Sequence, residues 1–307
     1  MNARERGFLL LTGFLGNPDR RVLTTAQLRE LSRRVTAAEV PAEDRQLMPS
    51  DLRELGYGAD MAARIAGLLS EEALLDHYLT RGRWAGCVPV TRVSRGYPAA
   101  VRRRLGPDAP GCLWLRGDPA LLEGEMIGVV GSRDLFPVNR DFAAEAGRQI
   151  ARQHRTLVSG NARGADRTAQ EACLRAGGTL VCVVADELER KPLRQNVLYL
   201  SEDGFDLPFS APRAISRNRV IHTLPEAVLV AQCTLDKGGT WSGTTKNLQA
   251  GWTPVFCYDD WSEAARQLEG RGAELISADR LSDLSTLPKA PGSLFDGAGV
   301  DDEEERP

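Results

Sequence analysis

The sequence predicts an α/β fold, in which helices cover both faces of a parallel sheet and a small helical domain precedes the sheet. The first observation is an apolar run at residues 127–130, which stops at Gly131 and is followed by a helical pattern. The second is another apolar run, Leu157 and Val158, which stops just before Gly160 and again leads into a helix. The third is the repetition of this strand–turn–helix unit to about residue 285, because such alternation is typical of parallel sheets.

Residues 1–80 are predicted to form the separate helical domain at the N-terminus. Thr24 is a candidate N-cap for a helix with leucines at helical spacing, and residues 49–56 begin with a cap and end on a glycine. Residues 61–69 and 71–79 continue the helical pattern. Short helices broken by glycine are compatible with a SAM-like or helix-hairpin-helix-like module, but a plain helical interaction domain fits them equally well.

The elements of the main domain, residues 81–285, follow in order. Short strands are expected at residues 88–90 and 113–115, before the strand–helix units of residues 127–176. Then come a strand at 179–185, an irregular stretch at about 186–212, a helix at 215–222, a strand at 227–231, a glycine-rich turn at 238–243 that leads into a helix, a strand at 254–257, a helix at 262–269 and a strand at 274–276. The tail, residues 286–307, is rich in proline and acidic residues and is expected to be disordered.

Length, charge and cysteine content exclude several classes of protein. The 307 residues can bury one large α/β core and a smaller domain. A formal net charge of −3 gives no general attraction to nucleic acid, so any such binding needs a local cluster of charge. The six cysteines include no CxxC pair and are expected to be buried, reduced thiols. The apolar run near the N-terminus is too short for a signal peptide or a membrane span, which favours a cytoplasmic protein without membrane contact.

Four polar clusters fall at or near the carboxyl ends of predicted strands, where open α/β sheets bind their ligands. Glycine lets the backbone approach a phosphate at such a place, the following helix presents free N–H groups, and arginine matches the geometry of a phosphate. We therefore predict an anion site. Its candidate residues are Gly131, Ser132, Arg133, Ser159, Gly160, Arg163, Gly164, Arg217, Asn218, Arg219, Gly239, Thr240, Ser242, Gly243, Thr244 and Lys246.

Each cluster taken singly also has a purely structural explanation. Glycines at strand ends are often only turns, Asp166 could cap its helix, and Arg219 could lie at the surface. No cluster is a GxxxxGK[ST] loop or a GxGxxG fingerprint, which disfavours nucleotide hydrolysis and dinucleotide binding. No HExxH motif or Cys/His pairing indicates a metal, and no GxSxG elbow indicates a nucleophile. A site rich in phosphate-binding groups and poor in acid–base groups favours binding over turnover, with no catalytic residue and no cofactor.

The serial order of these motifs resembles the DNA-processing protein A family, also called DprA or Smf, and indicates a divergent member. The resemblance covers the chain from about residue 84 to residue 258. It is carried by Tyr97-Pro98, the strand and turn at residues 113–118, Gly131-Ser132-Arg133, residues 159–166, Gly177-Gly178-Thr179, Arg217-Asn218-Arg219 and Ser242-Gly243-Thr244.

The resemblance implies an extended Rossmann-like fold that binds single-stranded DNA and forms a homodimer. It also implies a role in DNA recombination and natural transformation, in which the protein helps to load a RecA-type recombinase onto the strand. By the same analogy Arg133, Arg163, Arg217 and Arg219 would contact the DNA backbone. Single-strand binding of this kind is sensitive to salt and largely independent of sequence.

Two other functions stay open at this point. A nucleotide-binding sensor of a defence or stress system needs the same anion site and only a small ligand. A nucleoside monophosphate phosphoribohydrolase of the LOG type would need a glutamate after its glycine turn, where this chain has Thr245, Lys246 and Asn247. Because this carboxylate is missing, we expect the protein to bind its ligand and not to act as an enzyme.

Overall fold

The structure is a computed structural model that describes residues 1–38 and 47–289. Its α-helices are α1 (Ala3–Thr12), α2 (Thr25–Ala37), α3 (Pro49–Glu54), α4 (Ala59–Leu69), α5 (Glu72–Trp84), α6 (Ala99–Leu105), α7 (Pro137–Arg152), α8 (Ala165–Arg175), α9 (Ala211–Ser216), α10 (Asn218–Thr223), α11 (Gly238–Ala250) and α12 (Glu263–Glu269). Its strands are β1 (Val88–Thr91), β2 (Cys112–Arg116), β3 (Met126–Val130), β4 (Thr156–Ser159), β5 (Thr179–Val183), β6 (Val197–Ser201), β7 (Ala227–Val230), β8 (Val255–Tyr258) and β9 (Glu274–Ile276).

The strands of the described chain form one nine-stranded sheet in the order β1-β2-β6-β5-β4-β3-β7-β8-β9. From β6 to β9 in this order, each strand runs parallel to its neighbours. The strands β1 and β2 extend the sheet in antiparallel fashion beyond β6. The carboxyl ends of β3, β4, β5 and β7 therefore lie side by side at one edge, where parallel sheets bind their ligands. The predicted α/β fold is confirmed.

Helices cover both faces of the sheet. One face packs against α1, α5, α7 and α8, and the other against α6, α10, α11 and α12. Alternate residues of β3 point to opposite faces, as the pleat of a strand requires: Ile127 and Val129 join the first core, and Met126 and Val130 join the second. A third cluster of buried residues lies among the N-terminal helices α1 to α4.

Helix α5 links the N-terminal helices to the sheet. Its Tyr78 stacks on Phe205 with ring centroids 4.5 Å apart and meets Trp114 edge-on. The Tyr78 hydroxyl donates a hydrogen bond of 2.6 Å to Asp206. The boundary expected near residue 80 thus falls within α5, and the division into domains 1–80 and 81–285 stays a prediction.

One strand was not predicted. The stretch expected to be irregular, residues 186–212, contains β6, which pairs with β5 on one side and β2 on the other. All five residues of β6 are buried. A short run that is buried on both faces has no alternation of polar and apolar residues, so its periodicity does not distinguish it from other apolar segments.

The glycine-rich turn expected at residues 238–243 is also wrong, because α11 already begins at Gly238. The turn lies just before it, at residues 235 and 236, where Asp236 has a φ angle of 54°, and Gly238 begins the helix with a φ of 82°. Within the helix, a Cβ added at Gly239 would lie 3.1 Å from Asn218, and one added at Gly243 would lie 3.0 Å from His222. These glycines therefore let α11 approach α10 closely.

The structure can also be compared with the expectations for the cysteines, for membrane spans and for the tail. All six cysteines are free and buried, as predicted. No helix in residues 1–38 and 47–289 is both long and apolar enough to span a membrane. Most of the tail expected to be disordered, residues 290–307, lies outside the described residues.

The contact between α7 and α8 yields a stability prediction. A Cβ added at Gly147 would overlap the carbonyl oxygen of Ala169 in α8, so Gly147→Ala should destabilise the protein by about 1–3 kcal/mol. The matched control is Gly67→Ala in α4, where an added Cβ meets nothing within 4 Å. That variant should gain about 0.5–1 kcal/mol because alanine favours the helix. Urea unfolding measures the free energy of unfolding of both variants. Similar changes in the two variants would contradict the close packing of α7 on α8.

Candidate functional site

A groove runs along the carboxyl edge of the sheet. It consists of two cavities of about 430 and 620 Å³ that share Arg133, Ala162, Phe209, Ala214 and Arg217. We call this continuous surface the edge groove. Its walls come from the loops after β3 and β4, from α9 and α10, and from the start of α11. The structure thus brings together residues from all four predicted clusters, as the arrangement of the strands requires.

Arg217 lies between α9 and α10 and forms the buried wall of the edge groove. The residue is 9% exposed, and its Nη2 donates a hydrogen bond of 2.9 Å to the carbonyl oxygen of Gly160. Burial lowers the pKa of Arg217, and the nearby carboxylate of Asp166 opposes this shift. A Cβ added at Gly160 would overlap the guanidinium. Gly160 therefore makes room for an arginine of the protein itself, and Arg217 holds the β4 loop against α10.

Asp166, the second residue of α8, closes the β4 loop from the other side. Its Oδ2 accepts hydrogen bonds from the backbone N–H groups of Gly160 and Ala162, at 3.2 and 3.1 Å. Burial raises the pKa of Asp166, while the charge of Arg217 lowers it. Asp166 thus organises the loop before its helix and does not cap the helix. It also occupies two of the N–H groups that a phosphate could have used at this strand end.

The β3 and β4 loops are in direct contact. Gly164 has a φ of 85°, and a Cβ at this position would overlap the carbonyl oxygen of Ser132. A Cβ at Gly131 would lie 2.5 Å from the Cβ of Ala165. The N–H group of Ala165 donates to the same Ser132 oxygen at 3.1 Å. The glycines at these strand ends allow the two loops to pack together, and this contact fixes the position of Arg133.

The cations that face the edge groove are largely available to a ligand. Arg133 lines both cavities and an adjoining one of about 410 Å³, is exposed, and makes no hydrogen bond or ion pair with the described residues. Arg163 pairs with Asp134 at 2.8 Å, but both side chains are more than 70% exposed, so the pair is weak. The exposed Lys237 precedes α11, whose first residues, Gly238 to Thr240, also line the groove. Free N–H groups of a helix start favour an anion at this place.

An aromatic side chain that the sequence did not single out also lines the edge groove. Phe209 is 58% exposed and lines both cavities of the edge groove. Arg213 anchors its segment, because this guanidinium donates to the carbonyl oxygens of Ala185, Leu207 and Pro208 and pairs with Asp203 at 3.0 Å. The only signal in the sequence is an aromatic residue between two prolines, which is too weak to find the site.

Several predicted residues do not face the groove. Arg219 pairs with Glu202 at 3.1 Å and donates to the carbonyl oxygen of Asp108. Ser159 and Thr244 are fully buried, and their hydroxyls have no partner within the described part of the chain. Ser242, Gly243 and Lys246 lie further along α11 and outside the lining of either cavity. Their role in binding a phosphate stays a prediction. Asn218, Gly239 and Thr240 do line the groove, and the Thr240 hydroxyl donates to the carbonyl oxygen of Gly131 at 2.8 Å.

The buried titratable groups in and around the groove are poorly suited to acid–base chemistry. His222 is buried, and burial with the charge of Arg217 lowers its pKa to about 4, so the ring is neutral at pH 7. Its Nδ1 lies 3.3 Å from the side-chain nitrogen of Asn247. Burial raises the pKa of all six cysteine thiols. Within residues 1–38 and 47–289, no group of three or more His, Cys, Asp or Glu residues could hold a metal ion.

Arg217 and Asp166 yield a prediction about stability and pH. The folded state binds the Asp166 proton more tightly than the unfolded state, so this group lowers stability as the pH rises above about 4. Arg217→Gln removes the cation that opposes this effect. The variant should therefore lose more stability at pH 7 than at pH 4.

Urea unfolding at both pH values measures this difference. Arg175→Gln is the matched control, because Arg175 is exposed and pairs only with Glu171 of its own helix. Equal losses at the two pH values for Arg217→Gln would contradict the coupling of Arg217 to Asp166.

Known proteins with similar sequences and folds agree with the resemblance. The chain is 26% identical to the DNA processing protein DprA of Bacillus subtilis over 62% of its own length and 67% of that protein. It is 30% identical to the protein Smf of Escherichia coli, over 43% of this chain and 38% of that one. The matched regions therefore leave parts of both relatives uncovered.

Solved structures show the same fold. The DNA processing protein A of Streptococcus pneumoniae superposes with a TM-score of 0.69 and 22% identity, over 91% of this chain and 96% of that one. The Helicobacter pylori protein, described with its single-stranded DNA binding mode, gives a TM-score of 0.54 and 24% identity over 62% and 90% of the two chains. Residues 89–285 match the family described as DNA recombination-mediator protein A. The chain belongs to this family, the DprA/Smf proteins.

Proposed function

We propose that this protein binds single-stranded DNA in the edge groove and acts in DNA processing. The main support is that the exposed ring of Phe209 lines the same groove as Arg133, Arg163, Arg217 and Lys237. A positively charged groove that follows the backbone, with aromatic rings on which bases stack, is the usual means of binding single strands without sequence preference. Membership of the DprA/Smf family supports a role in DNA processing, and the binding mode described for the Helicobacter pylori protein supports the choice of ligand.

The geometry favours the sugar–phosphate backbone over base edges as the main contact. Arg133 and Lys237 are exposed and unpaired within the described residues, so they can each neutralise a phosphate. The start of α11 adds N–H donors near Lys237. Arg217 is already engaged with Gly160, and its contribution to the ligand is mainly its charge and the position it gives to the loop. Contacts of this kind orient a strand but read no sequence.

Binding without turnover fits the same residues. Asp166 is occupied by two backbone N–H groups, and His222 is buried and neutral at pH 7. A LOG-type enzyme has a glutamate after its glycine turn, whereas this chain has Asn247 in α11 after Gly243. Asn247 is buried, and its side-chain oxygen accepts a hydrogen bond from the N–H of Thr253. None of these groups is free to protonate a leaving group, so we propose that the groove holds its ligand unchanged.

A free nucleotide is the competing ligand, because a cavity of about 620 Å³ lies within the usual size range of small-molecule sites. A sensor of this kind would be stabilised by a mononucleotide alone. A thermal-shift titration distinguishes the two cases: single-stranded DNA should raise the melting temperature at concentrations at which a nucleoside monophosphate does not. Hydrolysis of a nucleoside monophosphate to its free base and ribose 5-phosphate would contradict both binding functions.

The finer role implied by the family is also part of the proposal. We propose that the protein acts as a homodimer in DNA recombination and natural transformation, with a RecA-type recombinase as its partner. Light scattering with and without a bound strand tests the dimer. A recombinase that assembles on the strand no faster with this protein than without it would contradict the loading role and leave the strand-binding function intact.

Replacement of Arg133 is the first test of the edge groove. Arg133→Ala should weaken binding of a single strand and reduce the slope of log affinity against log salt by about 0.7, which corresponds to one phosphate contact. Fluorescence anisotropy at two salt concentrations measures both quantities. Arg175→Ala is the matched control and should bind like the wild type, because Arg175 lies at the C-terminal end of α8, away from the edge groove. Equal binding by wild type and Arg133→Ala would remove Arg133 from the site.

Replacement of Phe209 separates stacking from charge. Phe209→Ala should cost about 1–3 kcal/mol of binding energy, because one base loses its aromatic platform. Its salt slope should stay at the wild-type value, since no cation is removed. Phe209→Tyr keeps the ring and should bind like the wild type. A similar loss in both variants, or a changed salt slope in Phe209→Ala, would contradict stacking.

A further inference from the structure

A second basic surface lies between the N-terminal helices and the sheet. A cleft of about 520 Å³ is lined by Arg29, Ser32, Arg33, Thr36, Ala37, Arg92 and Pro107, and we call it the basic cleft. Its four polar α2 residues, at positions 29, 32, 33 and 36, have the spacing of one helix face. They are all exposed. The opposite wall consists of Arg92, at the end of β1, and the segment after α6.

The charge in the basic cleft exceeds what its acidic neighbours neutralise. Arg29 approaches Asp108 at 3.4 Å, and Arg33 pairs with Glu30, which also pairs with Arg34. Arg92 donates to the carbonyl oxygens of Pro107 and Ala109 and has no carboxylate partner in the described chain.

Further arginines surround the cleft. Arg102 acts electrostatically on Arg92 and donates to the carbonyl oxygen of Ser94, next to the exposed Arg95. The chain as a whole carries a net charge of −3, so this accumulation of arginine is local. Such a local cluster attracts a polyanion even when the whole protein does not.

The basic cleft and the edge groove lie on two sides of the same short helix. Arg217 and Asn218, at the start of α10, line the edge groove. The next residue, Arg219, turns the other way and donates to the carbonyl oxygen of Asp108, whose carboxylate meets Arg29 of the cleft. Arg219 and Asp108 therefore connect the two sites. A flexible polyanion that fills one site can reach the other.

We propose that the basic cleft binds phosphates of the same DNA strand after it leaves the edge groove. The inference rests on the proposed function and extends the binding site across α10 to the N-terminal helices. The lining carries three arginines and two hydroxyl groups, which can donate hydrogen bonds to the oxygens of a phosphodiester backbone. The edge groove then holds bases and backbone, and the basic cleft holds backbone alone.

The variant Arg29→Gln/Arg33→Gln tests this proposal on the full chain. Both arginines are more than half exposed, and Glu30 keeps its ion pair with Arg34, so the fold should be unaffected. The matched control is Arg152→Gln/Arg175→Gln, which removes two exposed arginines at the C-terminal ends of α7 and α8, far from both sites. The probes are oligothymidylates of about 6 and about 20 nucleotides, which span the range of single-strand site sizes, and a duplex of the longer length.

The expected result is a loss of affinity for the long strand only. It should bind at least about tenfold more weakly to Arg29→Gln/Arg33→Gln, with a salt slope reduced by about 1.4 for two lost phosphate contacts. The short strand, which fills only the edge groove, should bind to Arg29→Gln/Arg33→Gln as it does to the wild type. The control variant should bind both strands as the wild type does. Unchanged affinity for the long strand, an equal loss with the short strand, or a loss confined to the duplex would each overturn the proposal.

Failure of the proposed function has a different signature. If the short strand does not bind to the wild type, or binds equally well to Arg133→Ala, the edge groove is not the primary site. The basic cleft is tested by the difference between long and short strands, so the two failures are distinguishable.

Discussion

The buried contact between Arg217 and the carbonyl oxygen of Gly160 holds the walls of the edge groove together. It joins the loop after β4 to the junction of α9 and α10, and Asp166 supplies the opposite charge from α8. Burial of a charged guanidinium is costly, and the nearby charge of Asp166 offsets part of that cost, so the geometry of this contact is strongly constrained. The constraint explains why a glycine stands at position 160, where any side chain would displace the arginine.

Because of this contact, the cations of the edge groove have different roles. Arg217 is buried and engaged, and it positions the walls of the edge groove. Arg133 and Lys237 are exposed and have no partner in the described residues, so they are the groups that a ligand can use. Phe209 reaches the same space because Arg213 ties its segment to the sheet edge. The site therefore consists of a rigid inner layer and an accessible outer layer, as a preorganised binding site requires.

The sequence predicted the parallel sheet and the edge at which the site lies, because both follow from repeated strand–turn–helix units. It missed β6, since a strand buried on both faces carries no alternation. It also assigned the glycines to phosphate binding, which stays a prediction, and it did not foresee that Gly131, Gly160 and Gly164 accommodate Ala165, Arg217 and Ser132. Such tertiary contacts are invisible in a single sequence. For the same reason Phe209 was not found, and Arg219 was placed with Arg217 although the two side chains point to opposite sides of α10.

Photocrosslinking tests most directly whether the edge groove is where DNA binds. A single strand carrying 5-iododeoxyuridine is irradiated in complex with the wild-type protein, and the adduct is mapped by mass spectrometry after trypsin digestion. Phe209 lies in the tryptic peptide of residues 195–213, whose other aromatic residues, Tyr199 and Phe205, are buried. The adduct should form at Phe209 and should be reduced in Arg133→Ala. Adducts confined to residues outside the groove, or a Phe209 adduct unchanged by that substitution, would contradict it.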